Sequence, residues 1–303
     1  MKISISNGAA FDALGIDGGM KAIRDAGFDG IDFGLDTFFS WQYAHDESFI
    51  LDEARIRALI DPLKEAMNKY GLTVEQMHSS HAFAARKPLE TEVLRRCVHR
   101  CIELCEELNC SKLVVHPIYD SSARYASMSI EQEQAENMAF FSSLIPMLKK
   151  HHVTCCLENV FRVDFGTKKL YAGAFCDMNE ACACIDALNE LAGEKCFGVC
   201  LDTGHLCLTG GDFCFAAEKL GDRLVLLHVH DNLGYNDDHT APFTGVVNWK
   251  RFIKGLRSIG YRGNINMETG GFVRKFPAEL ATDAMRILAA TADYFRSQVL
   301  AAE

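Results

Sequence analysis

Eight short apolar runs alternate with longer amphipathic segments, and that alternation limits the fold more than any other feature of the chain. The runs are KISIS (2–6), GIDFGLD (30–36), TVEQMHSS (73–80), KLVVHP (112–117), TCCLENV (154–160), FGVCLDTGH (197–205), LVLLHVHDN (224–232) and NINMETGG (264–271). Helical patterning follows them at 17–26, 52–70, 90–108, 129–151, 178–192, 212–220, 248–259 and 277–298. Nearly continuous apolar strands separated by helices predict a parallel sheet covered on both faces. Eight such units without an obvious linker predict an α/β chain folded as a single (β/α)8 TIM barrel over residues 1–303. A doubly wound open sheet is the alternative, but its glycine-rich nucleotide turn is missing: neither GxGxxG nor GxxxxGK[ST] occurs. Glycines in AGF (26–28) and YGL (70–72) stop helical runs just before strands.

Composition removes several classes of function. The formal net charge is −10, which opposes a nucleic-acid footprint, because such a footprint needs a basic face. No apolar run approaches the roughly 18 residues of a membrane span. The N-terminal MKISISNGAAFDALG reads as a first strand rather than a secretion signal, so a cytoplasmic protein is expected. The 13 cysteines form no CxxC pair. Cys97, Cys101 and Cys105 share a helix face, while Cys155, Cys156 and Cys200 sit in strand-like runs. They read as small buried hydrophobes rather than a disulfide framework or a thiolate zinc site.

The chemistry gathers at the strand ends. In order, these carry His78, His116, Glu158, Asp202 with His205, His228 with His230, and Glu268. A barrel brings those ends to one mouth, the face at which barrel enzymes work. Buried carboxylates are costly unless paired or bound to metal. A divalent cation held by Glu158, Asp202, His228 and Glu268 is the economical answer. His230 lies on the same strand face as His228 and is the alternative ligand. Nitrogen and oxygen ligands without thiolate suit Mn²⁺, expected first, or Zn²⁺, Co²⁺, Fe²⁺ or Mg²⁺.

LEN at 157–159, LDTGH at 201–205, HVHDN at 228–232 and METG at 267–270 resemble the motifs of the xylose isomerase-like barrel superfamily. That group includes sugar phosphate isomerase/epimerases, ketose 3-epimerases, inosose-metabolising enzymes and endonuclease IV. The resemblance spans essentially the whole chain and implies a metal-dependent sugar isomerase or epimerase. It implies one metal on Glu158, Asp202, His228 and Glu268, with the two glutamates as the acid–base pair. His205 is expected to contact the substrate, with His78, His116 and His239 beside it. Endonuclease IV holds three zinc ions, and candidates for all nine of its ligands occur here once Asp237 and His239 are added. The stretch DDHTAPFTGVVNW resembles a loop that closes over isomerase sites, but Phe243 and Thr244 interrupt the expected Pro-Gly. Relatives often form dimers or tetramers, so a homo-oligomer is expected by analogy.

Two further groups belong to the expected mouth. The loop LDTFFSWQYAHDES carries Phe38, Phe39, Trp41 and Tyr43. Trp41 is the candidate for stacking on a sugar face. Arg162, Lys168, Lys169 and Arg274 follow the fifth and eighth strands; Arg274 is the candidate substrate contact. The expected partner is a small carbohydrate. A lyase, dehydratase or C-glycoside-cleaving reaction on the same barrel is the alternative. A trinuclear phosphoesterase ranks below both, because Asp36, Asp46 and Glu47 on the mouth loop would repel a DNA backbone.

Overall fold

The computed structural model describes residues 1–35, 52–79, 88–119 and 128–301. The aromatic loop with Trp41 lies outside these residues. Strands β1 (Ile3–Ser6), β2 (Gly30–Gly34), β3 (Thr73–His78), β4 (Lys112–Val115) and β5 (Thr154–Glu158) run parallel and pair in chain order. A short antiparallel hairpin, β6 (Phe161–Val163) with β7 (Leu170–Ala172), interrupts the series. The sheet resumes with β8 (Phe197–Asp202), β9 (Leu224–His228) and β10 (Ile265–Met267). β10 pairs with β1, and a parallel bridge from Val229 to Met267 closes β9 onto β10. The result is the expected single (β/α)8 barrel.

Helices α1 (Gly8–Ala26), α2 (Glu53–Tyr70), α3 (Pro88–Glu107), α4 (Ile130–His151), α5 (Met178–Ala192), α6 (Thr203–Leu208), α7 (Phe213–Leu220), α8 (Trp249–Ser258), α9 (Gly270–Val273) and α10 (Ala281–Leu300) complete the chain. The longer ones are amphipathic; α8, for example, buries Trp249, Phe252 and Leu256 and exposes Lys250 and Lys254. No helix among the described residues is long and apolar enough to cross a membrane. None of the thirteen cysteines, all among the described residues, is disulfide-bonded, and Cys101, Cys105, Cys155, Cys156 and Cys200 are buried.

Period-two geometry places the chemistry. On one side of the barrel interior Val114, Cys156, Cys200 and Leu226 form a small apolar cluster. Two residues further along the same strands come His116, Glu158, Asp202 and His228, which share their parity. On the other side the interior is polar. Ser4 Oγ donates to Asn266 Oδ1 at 2.7 Å, and Asn266 Nδ2 and Gln76 Nε2 donate to Asp32 Oδ2 at 2.9 and 3.3 Å. Two residues beyond Gln76 and Asn266 come His78 and Glu268.

Four elements depart from the sequence expectation. α1 begins at Gly8 rather than near 17 and is broken at Gly15, which has φ 69°. Ala9, Ala10 and Phe11 are all buried, so this first stretch lacks the alternation that marks an amphipathic helix. β6 and β7 have three residues each, too few for a period-two signature. The eighth strand ends at Met267 rather than running to 271, leaving Glu268 and Thr269 to turn into α9.

Ion pairs tie α2 to α3, among them a fork in which Arg57 Nη1 and Nη2 donate to Glu107 Oε1 and Oε2 at 2.6 and 2.7 Å. This fork lowers the Glu107 pKa from 4.5 to about 2. A depressed carboxylate contributes stability that is complete above the unfolded value and lost as pH falls through the folded one. Glu107→Gln should therefore lose stability near neutrality and flatten the stability slope between pH 4.5 and about 2. Denaturant melts across that range read the slope, and an unchanged slope contradicts the assignment.

Candidate metal centre

Each site residue is held by the local structure that its motif builds. In LDTGH, Asp202 ends β8 and caps α6, its Oδ1 accepting from His205 N at 2.6 Å. The cap fixes the carboxylate and the imidazole together. Thr203 Oγ1 donates to His230 O at 2.7 Å and accepts from His230 N at 3.0 Å, so this motif grips the next strand. Gly204 is required there, because a Cβ would lie 2.0 Å from His230 Cε1. In LEN, Asn159 Oδ1 accepts from Asp202 N at 2.8 Å and Asn159 Nδ2 donates to Asp202 O at 3.2 Å.

These elements bring Glu158, Asp202, His228 and Glu268 together, with one ligand atom from each inside a 4.8 Å sphere of mutual distance. His228 Nδ1 stands 3.1 Å from Glu158 Oε1 and 3.2 Å from Glu268 Oε2. Three more groups adjoin or overlap this one: His78 and His116 meet Glu158, His78 meets His228 and Glu268, and His205 and His230 meet Asp237 and His239. His78 Nε2 and His116 Nε2 lie 3.3 and 3.1 Å from Glu158 Oε2. His205 Nε2 and His239 Nε2 lie 3.2 and 2.9 Å from Asp237 Oδ2.

The donor set fits a cation. Glu158 Oε2, Glu268 Oε2 and Asp237 Oδ1 are buried and accept no aligned hydrogen bond. Imidazole nitrogens nevertheless stand 3.1, 3.2 and 3.7 Å from them. Atoms gathered this closely without bonding one another are arranged as ligands around a common centre. His78, His205 and His239 turn Nδ1 to the backbone carbonyls of Ser79, Asn159 and Glu268 at 2.8, 2.9 and 3.0 Å. Each thereby presents Nε2 to the cavity, the orientation in which a neutral imidazole can coordinate.

The electrostatics follow from burial and crowding. Burial opposes ionisation of Glu158, but His228 and His116 outweigh it and hold the carboxyl well below its ordinary range. Burial raises Glu268, and the imidazoles His228 and His239 do not reverse the shift. Asp202, with His205 and His230 overcoming its burial, falls to about 2. His239, against its burial, is raised to about 10 by Asp237 and Glu268. Burial lowers His116 despite Glu158.

The other expected residues divide clearly. A cavity of about 370 Å³ is lined by His78, His116, Glu158, His205, His239 and Glu268, with Asp237 and Arg274. Arg274 also pairs with Asp12 at 3.0 Å. Arg162 pairs with Glu133 at 2.5 Å, and Lys168 and Lys169 lie exposed on the hairpin turn. His230 Nε2 sits 3.1 and 3.0 Å from the two oxygens of Asp202, so it braces that carboxylate as well as adjoining the Asp237 group. Asp32, Ser6 and Asn7 also line the cavity and were missed from sequence. Their signal was available in Asp32, a carboxylate inside the apolar run GIDFG, two residues before the strand end.

Comparison with known proteins agrees with this geometry. The family described as Xylose isomerase-like TIM barrel matches residues 20–291. The uncharacterised protein y4fM of Sinorhizobium fredii is 26% identical over 84% of this chain and 81% of its own length. A ketose 3-epimerase of Arthrobacter globiformis is 22% identical over 86% of this chain and 79% of its own. Among solved structures, a D-tagatose 3-epimerase-like protein superposes with TM-score 0.69 at 21% identity, covering 99% of this chain and 100% of that one. The IOLI protein with a bound zinc atom gives TM-score 0.72 at 16% identity, covering 99% and 98%. At such identities the superpositions show a shared fold.

Asp231 organises the loop that carries Asp237 and His239. Its carboxylate accepts from Asn232 N, Gly245 N, Val247 N and Trp249 Nε1 at 2.9, 3.0, 3.0 and 3.0 Å. Asp231→Ala leaves these donors unpaired and should cost about 2–4 kcal/mol. A thermal melt checks this; a loss under about 1 kcal/mol would show that the loop holds without it.

Proposed function

The chain belongs to the xylose isomerase-like TIM barrel family, and from that premise we propose that it is a divalent-metal-dependent sugar isomerase or epimerase. Its substrate on this reading is a small ketose or polyol-derived carbonyl compound. The observation that carries the reading is the Glu158, Asp202, His228 and Glu268 group, of which Glu158 and Glu268 line the cavity while Asp202 and His228 are buried behind it. A divalent ion bound there, Mn²⁺ first or Zn²⁺, Co²⁺, Fe²⁺ or Mg²⁺, would supply Lewis acidity toward a substrate carbonyl or hydroxyl.

The protein's own part is proton transfer and positioning. Glu158 and Glu268 are the acid–base pair, one removing the proton beside the carbonyl and the other returning it. Their environments support separate roles, since Glu158 is held ionised while burial favours the protonated form of Glu268. His78, His116, His205 and His239 line the cavity where substrate hydroxyls would lie. Arg274, which lines the cavity, and Trp41, outside the described residues, complete the proposed substrate contacts.

A second reading rests on a specific observation: the groups around His78 and Asp237 flank the central one on either side. Three ions in these three groups would suit a phosphoesterase. A lyase or C-glycoside-cleaving reaction shares the one-metal site.

The experiment is metal analysis of the purified chain followed by turnover in deuterated water. About one ion per chain is expected, with deuterium entering beside the carbonyl and no water lost. Loss of water, or release of an aglycone, assigns the lyase class; about three zinc ions with phosphoester cleavage assigns the other. Glu268→Gln should keep part of its metal and lose turnover by roughly 10²–10⁴-fold. Near-normal turnover removes Glu268 from the proposed pair.

A further inference from the structure

His228 stands apart from the other histidines of the site. His78, His205 and His239 anchor Nδ1 on backbone carbonyls and present Nε2. His228 does the reverse: Nδ1 faces Glu158 and Glu268, and Nε2 lies 3.4 Å from Asp32 Oδ2. The ring is fully buried and stacks on His78, with centroids 5.4 Å apart and planes 16° apart.

Asp32 is built to be an acceptor. It is 1% exposed, and Asn266 Nδ2, Ser6 Oγ and Gln76 Nε2 reach its Oδ2 at 2.9, 3.2 and 3.3 Å. Two of these partners are amides that can only donate through nitrogen. They fix the rotamer of the carboxylate, and the same Oδ2 lies 3.4 Å from His228 Nε2, a buried nitrogen with no aligned hydrogen bond. A neutral imidazole carries one proton, and the group bonded to the far nitrogen decides which nitrogen that is.

Building on the proposed metal centre, we infer that Asp32 is a positioning residue that holds the His228 proton on Nε2 and so makes Nδ1 the metal-ligating atom. A tautomer with the proton on Nδ1 would aim it into the ion. A carboxylate anchor also strengthens the imidazole as a donor more than a carbonyl does.

The test uses the intact chain, stripped of metal and titrated with Mn²⁺. Asp32→Asn keeps the shape, and Asn266 and Gln76 orient its amide oxygen toward themselves while the charge is lost. Its Mn²⁺ affinity is expected to fall roughly 10–100-fold below that of the unaltered chain. A change of less than about twofold overturns the inference. Nitrogen-15 histidine spectra of the Zn²⁺-loaded unaltered chain give an independent readout that does not depend on the variant folding. The expected pattern is a protonated Nε2 and a coordinated Nδ1 on His228; coordination through Nε2 overturns the assignment. If the unaltered chain binds neither ion, the metal centre itself fails and Asp32 loses its role with it. Binding by both proteins with equal affinity rejects only the role of Asp32.

Discussion

Buried negative charge is the constraint on which the rest of this structure depends. Glu158, Asp202 and Asp32 are almost wholly shielded from water, and Glu268 and Asp237 are largely so. Carboxylates in such a place are strongly unfavourable unless positive charge joins them. Six imidazoles, from His78, His116, His205, His228, His230 and His239, gather with these carboxylates. Several are driven toward the protonated form against their own burial. An imidazolium can balance a neighbour, but the oxygens of Glu158, Glu268 and Asp237 that accept no aligned bond remain. Cations at the shared centres would satisfy oxygens and nitrogens together, with protons released as they bind.

The motifs are interlocked rather than merely adjacent. The Asn of LEN pairs with the backbone of Asp202. The Thr of LDTGH holds His230, and its Gly makes room for the His230 ring. The Asn of HVHDN returns to Gly204 O at 3.0 Å. Its Asp231 ties down the loop that delivers Asp237 and His239. Most of the residues surrounding the candidate ligands therefore serve to orient one another's strands. Such mutual bracing holds side chains from six separate strand ends in a defined arrangement.

Much of this was legible in the sequence, for reasons that can be named. The barrel followed from the alternation of apolar runs and helices, a local pattern that every unit repeats. The ligand candidates followed because titratable groups ended strands otherwise made of Val, Leu and Cys. Less legible were features without local periodicity. The start of α1 buries three residues in a row, Ala9, Ala10 and Phe11, and β6 and β7 are too short to alternate. Asp32 was passed over because one carboxylate within a short apolar strand resembles a surface position until its partners are known.

The sequence by itself determined the fold class, the order of the units and the set of side chains able to do chemistry, since each depends on spacing within about ten residues. Tertiary structure alone decided how those side chains are gathered into four adjoining or overlapping groups. It decided that His228 faces the two glutamates while His230 braces Asp202. It also decided that Asp32, on the second strand, meets an imidazole on the ninth. Such pairings depend on barrel closure and stagger, which join residues nearly two hundred positions apart and leave no spacing to read.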